Sequence, residues 1–62
     1  MNKNLVAMLA AIDVGETQPV NRAARKRLGL PIVNANTIAS ARKSGHVEMY
    51  FEGDHLMMTR IK

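Results

Sequence analysis

The sequence predicts an α+β domain in which three short helices are followed by a C-terminal β-hairpin. Three observations carry this. Apolar residues recur at helical spacing in three successive segments, each opened by a capping residue and closed by a glycine. After Gly45 the apolar period changes to two. Within that alternating stretch, Glu52-Gly53-Asp54 supplies a turn signal.

The first helix is expected over 3–13. Leu5, Met8, Leu9 and Ile12 fall at i, i+3, i+4 and i+7, Asn2 or Asn4 can cap the start, and Gly15 can end it. The second is expected over 18–28. Thr17 stands at the N-cap, Pro19 lies in the first turn, and Val20, Ala23, Ala24, Arg27 and Leu28 follow at helical spacing. Gly29 stops it, and Pro31 prevents direct resumption. The third is expected over 34–44, with Ala35, Ile38 and Ala41 as its buried line and Asn36, Thr37 and Ser40 facing outward. In the hairpin, Val47, Met49 and Phe51 alternate with His46, Glu48 and Tyr50. A turn at Glu52-Gly53 would pair Met49 with Leu56 and Val47 with Met58, which gathers the apolar side chains on one face. A lone hairpin is marginal in water, so it must lie against the helices.

Sixty-two residues allow one domain, 1–62, with a thin core, since chains of this size bury only about 60% of their unfolded surface. There is no cysteine, which excludes a disulfide framework and a Cys/His zinc site. The apolar run from Leu5 to Ile12 is far shorter than the roughly 20 residues of a membrane span and has no small-residue cleavage site after it. A soluble, cytoplasmic protein without membrane attachment is expected. The five methionines read as flexible core filler.

Charge is segregated. Nine Lys and Arg against five Asp and Glu give a net charge of +4. No acidic residue occurs between Thr17 and Val47, a window that holds Arg22, Arg25, Lys26, Arg27, Arg42 and Lys43. Such a one-signed field attracts polyanions, of which nucleic acid is the commonest.

The Arg27-Leu-Gly-Leu-Pro31 run, Thr37-Ile38, Ser44-Gly45-His46-Val47 and the Leu56–Arg60 segment together resemble the winged helix-turn-helix family, in particular a minimal bacterial, phage or plasmid regulator. The resemblance covers nearly the whole chain. It implies a DNA-binding transcriptional regulator or DNA-transaction accessory factor, with the third helix in the major groove of double-stranded DNA. Asn34 and Asn36 would then reach base edges, where an amide pairs with adenine, and Thr37 and Ser40 would reach bases or phosphates. Arg42 and Lys43 would hold the backbone, as would Arg22, Arg25 and Lys26 where the second helix crosses it. Two copies on half-sites one helical turn apart, as a homodimer on DNA, would reinforce each other. The sequence departs from the family in two ways. Its wing tip, Glu52-Gly53-Asp54, is acidic where DNA-binding wings are often basic. The extra strands or dimerisation helix that the family commonly carries have no room in this chain.

Winged helices also bind proteins. The alternative is therefore an adaptor whose acidic, apolar hairpin (Glu48, Tyr50, Glu52, Met57) takes a protein partner. RNA binding, which the basic helices permit, is weakened by an expected lack of exposed stacking aromatics. Enzyme chemistry, metal and cofactor are not expected. His46 and His55 lack a nucleophile setting, Asp54 and His55 fall on opposite faces of a strand, and no glycine-rich phosphate loop precedes a helix.

Overall fold

The computed structural model describes residues 3–62, which form three helices and one three-stranded antiparallel sheet. The elements are α1 (Lys3–Ala10), β1 (Thr17–Pro19), α2 (Arg22–Arg27), α3 (Ala35–Lys43), β2 (Val47–Glu52) and β3 (His55–Arg60), and the strand order is β1-β3-β2. The capping role considered for Asn2 lies outside the described residues.

The apolar stripe of α1 is buried as its spacing predicts: Leu5, Met8, Leu9 and Ile12 join Ile38, Ala41, Val47 and Met58 in the core, and Val20, Val33 and Met49 pack against it. The helix nevertheless ends at Ala10. Carbonyls at its end and just beyond it are taken by donors from elsewhere in the chain. Arg60 NH1 donates to Leu9 O (2.8 Å) and Ile12 O (2.9 Å), and Gln18 Nε2 donates to Ala11 O (2.8 Å). A cation at a helix C-terminus also complements the helix dipole.

The structure corrects the second helix and the supposed lack of room for a further strand. Thr17–Pro19 is a strand, pairing Thr17, Gln18 and Pro19 with Thr59, Met58 and Met57 of β3. Glu16 O accepts from Arg60 N (3.1 Å) and Val20 N donates to Leu56 O (2.9 Å). Even-numbered positions therefore bond to β3, and the missing N–H of Pro19 falls on the open edge, where proline is tolerated. The helix starts one turn later, capped by Asn21, whose side chain accepts from Ala24 N (3.1 Å). Gly29 (φ 74°) ends α2 and Gly45 (φ 78°) ends α3, as the sequence predicts.

α3 agrees closely with expectation in extent and in its Asn34 cap, but its inward face is Thr37, Ile38 and Ala41, and Ala35 is exposed. The hairpin register also differs. The turn is Gly53-Asp54, so Glu52 faces His55, Met49 faces Met58 and Val47 faces Arg60. This is a slip of two residues from the expected pairing, so every side chain keeps its face. The observed turn puts glycine at the first central position with φ 62°, and no non-glycine residue has positive φ. The expected turn would have demanded left-handed backbone of Glu52.

Candidate nucleic-acid interface

Residues three, four and seven apart share one side of a helix. Because Thr37, Ile38 and Ala41 turn α3 toward the core, its opposite side presents Asn36, Ala39, Ser40 and Lys43, all exposed. Asn36 and Lys43 are two turns apart, about 10 Å along the axis, a span suited to a major groove about 12 Å wide. Arg42 is exposed on one flank, where α3 meets the sheet along a cleft of about 340 Å³ floored by Val20, Val33, Ile38, Met49 and Leu56. On α2, Arg22, Lys26 and Arg27 are exposed. The structure thus brings Arg22, Lys26, Asn36, Ser40, Arg42 and Lys43 to the surface on two consecutive helices.

Three of the expected site residues stand differently. Asn34 is exposed, but its carboxamide oxygen is engaged as the N-cap, accepting from Thr37 N (2.8 Å) and Thr37 Oγ1 (2.9 Å). Thr37 is buried, so it holds the cap and faces away from any groove. The largest correction is Arg25, which has 0% exposure. Its Nε donates to Pro31 O (2.7 Å), and its NH1 donates to Gln18 Oε1 and Pro19 O (both 3.1 Å). NH2 has no partner among the described residues. Burial lowers the guanidinium's pKa, yet arginine stays charged in proteins. Every acceptor here is a neutral amide or carbonyl oxygen. Arg25 therefore joins β1, α2 and the turn that enters α3, and it cannot also sit on a phosphate.

Sequence reasoning placed Arg25 outside because arginine is seldom fully buried. In the observed α2 the Ala24–Arg25 side faces inward. Ala39 was overlooked, although its spacing from Asn36 and Lys43 was sufficient to find it.

The acidic side chains lie elsewhere. Glu48 and Glu52 are on the sheet face away from the core, with Tyr50, Met57 and Thr59; Asp54 is at the hairpin tip, and Asp13 and Glu16 are at the α1–β1 turn. Among the described residues no three His, Cys, Asp or Glu side chains cluster as metal ligands. Among them, too, no helix is long and apolar enough to cross a membrane. Comparison with known proteins adds no relative: no family model matches the chain, and no curated protein or solved structure does.

Proposed function

We propose that the chain is a sequence-specific DNA-binding protein of the winged-helix type, a small transcriptional regulator or DNA-transaction accessory factor. In this reading α3 enters the major groove and exposed basic residues of α2 and α3 sit on phosphates. The observation that carries it is the Asn36-Ala39-Ser40-Lys43 side of α3, exposed and without a carboxylate, with Arg42 exposed on its flank and Arg22 and Lys26 exposed on the preceding helix. Base-reading and phosphate-holding side chains need this division on neighbouring helices. The element order supports the winged-helix assignment, with β1 in the role of the extra strand that the family commonly carries.

Binding to duplex DNA at several salt concentrations tests the reading. Three to five phosphate contacts give a slope of about −3 to −5 in log affinity against log salt. Asn36→Ala is expected to cost about 1–3 kcal/mol on a preferred site and little on random duplex, with the slope kept. Ile38→Ala is the control. It empties a core position, costing roughly 2–4 kcal/mol of stability, and weakens binding only through unfolding. Equal affinity of wild type and Asn36→Ala on both duplexes would remove α3 from the groove.

The hairpin favours a second reading, a winged-helix adaptor. Tyr50 is 45% exposed on the sheet face that carries Glu48 and Glu52, and Phe51 is 71% exposed on the opposite face. An absence of salt-dependent DNA binding, together with capture of a protein lost in Tyr50→Ala and Glu52→Ala, would make that the function.

A further inference from the structure

Among the described residues that line the cleft between α3 and the sheet, Arg42 alone is charged. The floor is aliphatic and thioether throughout, and Ala35 and Ala39 stand with Arg42 on the α3 side. Arg42 has no hydrogen-bond or ion-pair partner among the described residues. No carboxylate lines the cleft to supply one. Glu48 and Glu52 are on the opposite face of the sheet from Met49 and Leu56, Asp54 is at the hairpin tip, and Asp13 and Glu16 are at the α1–β1 turn. Phe51 pairs with Leu56 on the cleft's side of the sheet and is 71% exposed, so apolar surface continues toward the tip.

An unpaired guanidinium beside aliphatic surface is complementary to one kind of small molecule, an apolar body that ends in a carboxylate. Sites for small molecules are mostly apolar, with a few polar groups that fix orientation. A guanidinium takes a carboxylate through two parallel hydrogen bonds. The cleft measures about 340 Å³; at about 30 Å³ for each water-sized group, it holds roughly eleven non-hydrogen atoms. We propose that this cleft binds a free apolar monocarboxylate of about that size, its body over Val20, Met49 and Leu56 and its carboxylate on Arg42.

The acid and a DNA phosphate compete for Arg42. The acid is therefore an effector that weakens DNA binding, and DNA weakens acid binding by the same factor. That consequence rests on the function proposed above; the acid site itself does not. One phosphate contact is worth about tenfold in affinity at about 0.1 M salt, and its loss lowers the salt slope by about one. Ala35, Ala39 and Arg42 are exposed, so the ligand stays partly in water. A molecule of this size that gains little per atom binds with a Kd of about 1–5 mM. The exposed ion pair contributes about two- to fivefold of that affinity.

Octanoate and 1,2-octanediol share their carbon and oxygen count and differ in charge, and octylammonium reverses the charge. Titrations of the free protein followed by NMR should give octanoate the tightest binding, about two- to fivefold over the diol, and octylammonium the weakest. The shifts should centre on Val20, Val33, Met49 and Leu56. Arg42→Gln should make octanoate and the diol equal without abolishing either. Ala35→Leu, which fills the α3 side of the cleft, should weaken both. On duplex DNA, octanoate at about ten times its Kd should lower wild-type affinity about fivefold relative to the same concentration of acetate. Arg42→Gln binds DNA more weakly from the start, and octanoate should weaken it no further. Equal affinity of the wild type for octanoate and the diol, shifts centred elsewhere, or DNA binding unmoved by saturating octanoate would each overturn the proposal. Shifts at the cleft on concentrating the protein alone would make a second copy the occupant and overturn it as well. A preference for octanoate that depends on Arg42, in a protein that binds no DNA, would uphold the acid site and refute the DNA reading.

Discussion

Arg25 and Lys26 are adjacent arginine and lysine on one helix, and the structure gives them unrelated work. Replacing Arg25 by Met keeps much of the side chain's length and removes the guanidinium. Pro31 O, Pro19 O and Gln18 Oε1 then lose their donors. A buried acceptor left unpaired costs about 1–3 kcal/mol. Relief of the desolvation that lowers Arg25's pKa, and of its unpartnered NH2, offsets part of this. The expected net loss is about 2–4 kcal/mol. A domain of this size holds roughly 3–9 kcal/mol in total, so the variant approaches the limit of folding. At about 4–8 °C per kcal/mol, its Tm should fall by about 8–32 °C. Lys26→Ala, on the exposed face, should stay within about 0.5 kcal/mol of wild type and reduce the salt slope by about one. Urea unfolding followed by circular dichroism, paired with the salt titration on duplex DNA, reads both quantities. An Arg25→Met protein of wild-type stability with a flattened salt slope would refute the reasoning and return Arg25 to the phosphate-contacting set.

Two further variants probe what frames the interface. Arg60→Met removes the donor to Leu9 O and Ile12 O at the end of α1 and should cost about 1–3 kcal/mol in denaturant unfolding; an unchanged midpoint would mean that water replaces the guanidinium without loss. Gly53→Ala meets no neighbouring atom but must adopt φ 62°, so a loss of about 1–2 kcal/mol from backbone strain alone is expected, and Gly53→Asn should recover part of it. Equal stability of the Ala and Asn variants would show that the turn had rearranged.

What the sequence made legible follows from how local each signal is. The Asn34 cap, the inward Ile38 and Ala41, and the two faces of the hairpin all come from spacing within one element. The hairpin pairing was displaced by two residues because alternation fixes parity and nothing more; the preference of the turn for glycine at its first central position decides the rest. Strand β1 was hidden for two reasons. Three residues are too few to show a period of two, and the residue it turns inward is Gln18, a polar side chain that no apolar pattern would mark. Its burial is explained only by partners seven residues away on either side, Ala11 O and the Arg25 guanidinium.

That same pair changes how the basic surface is understood. Read from composition, Arg22, Arg25, Lys26, Arg27, Arg42 and Lys43 form one electropositive set. In the fold, Arg25 is withdrawn from it to fix the approach to α3, through Pro31 on one side and β1 on the other. The remaining five are exposed, and Lys43 shares its face of α3 with Asn36. The hydrogen bonds of a buried guanidinium are costly to leave unmade, and they demand one arrangement of the chain. Here that arrangement is the 28–34 turn that leads into α3, held through Pro31 O. The affinity of the proposed interface therefore depends on charges that the sequence displays openly. Its aim depends on a charge that the fold conceals.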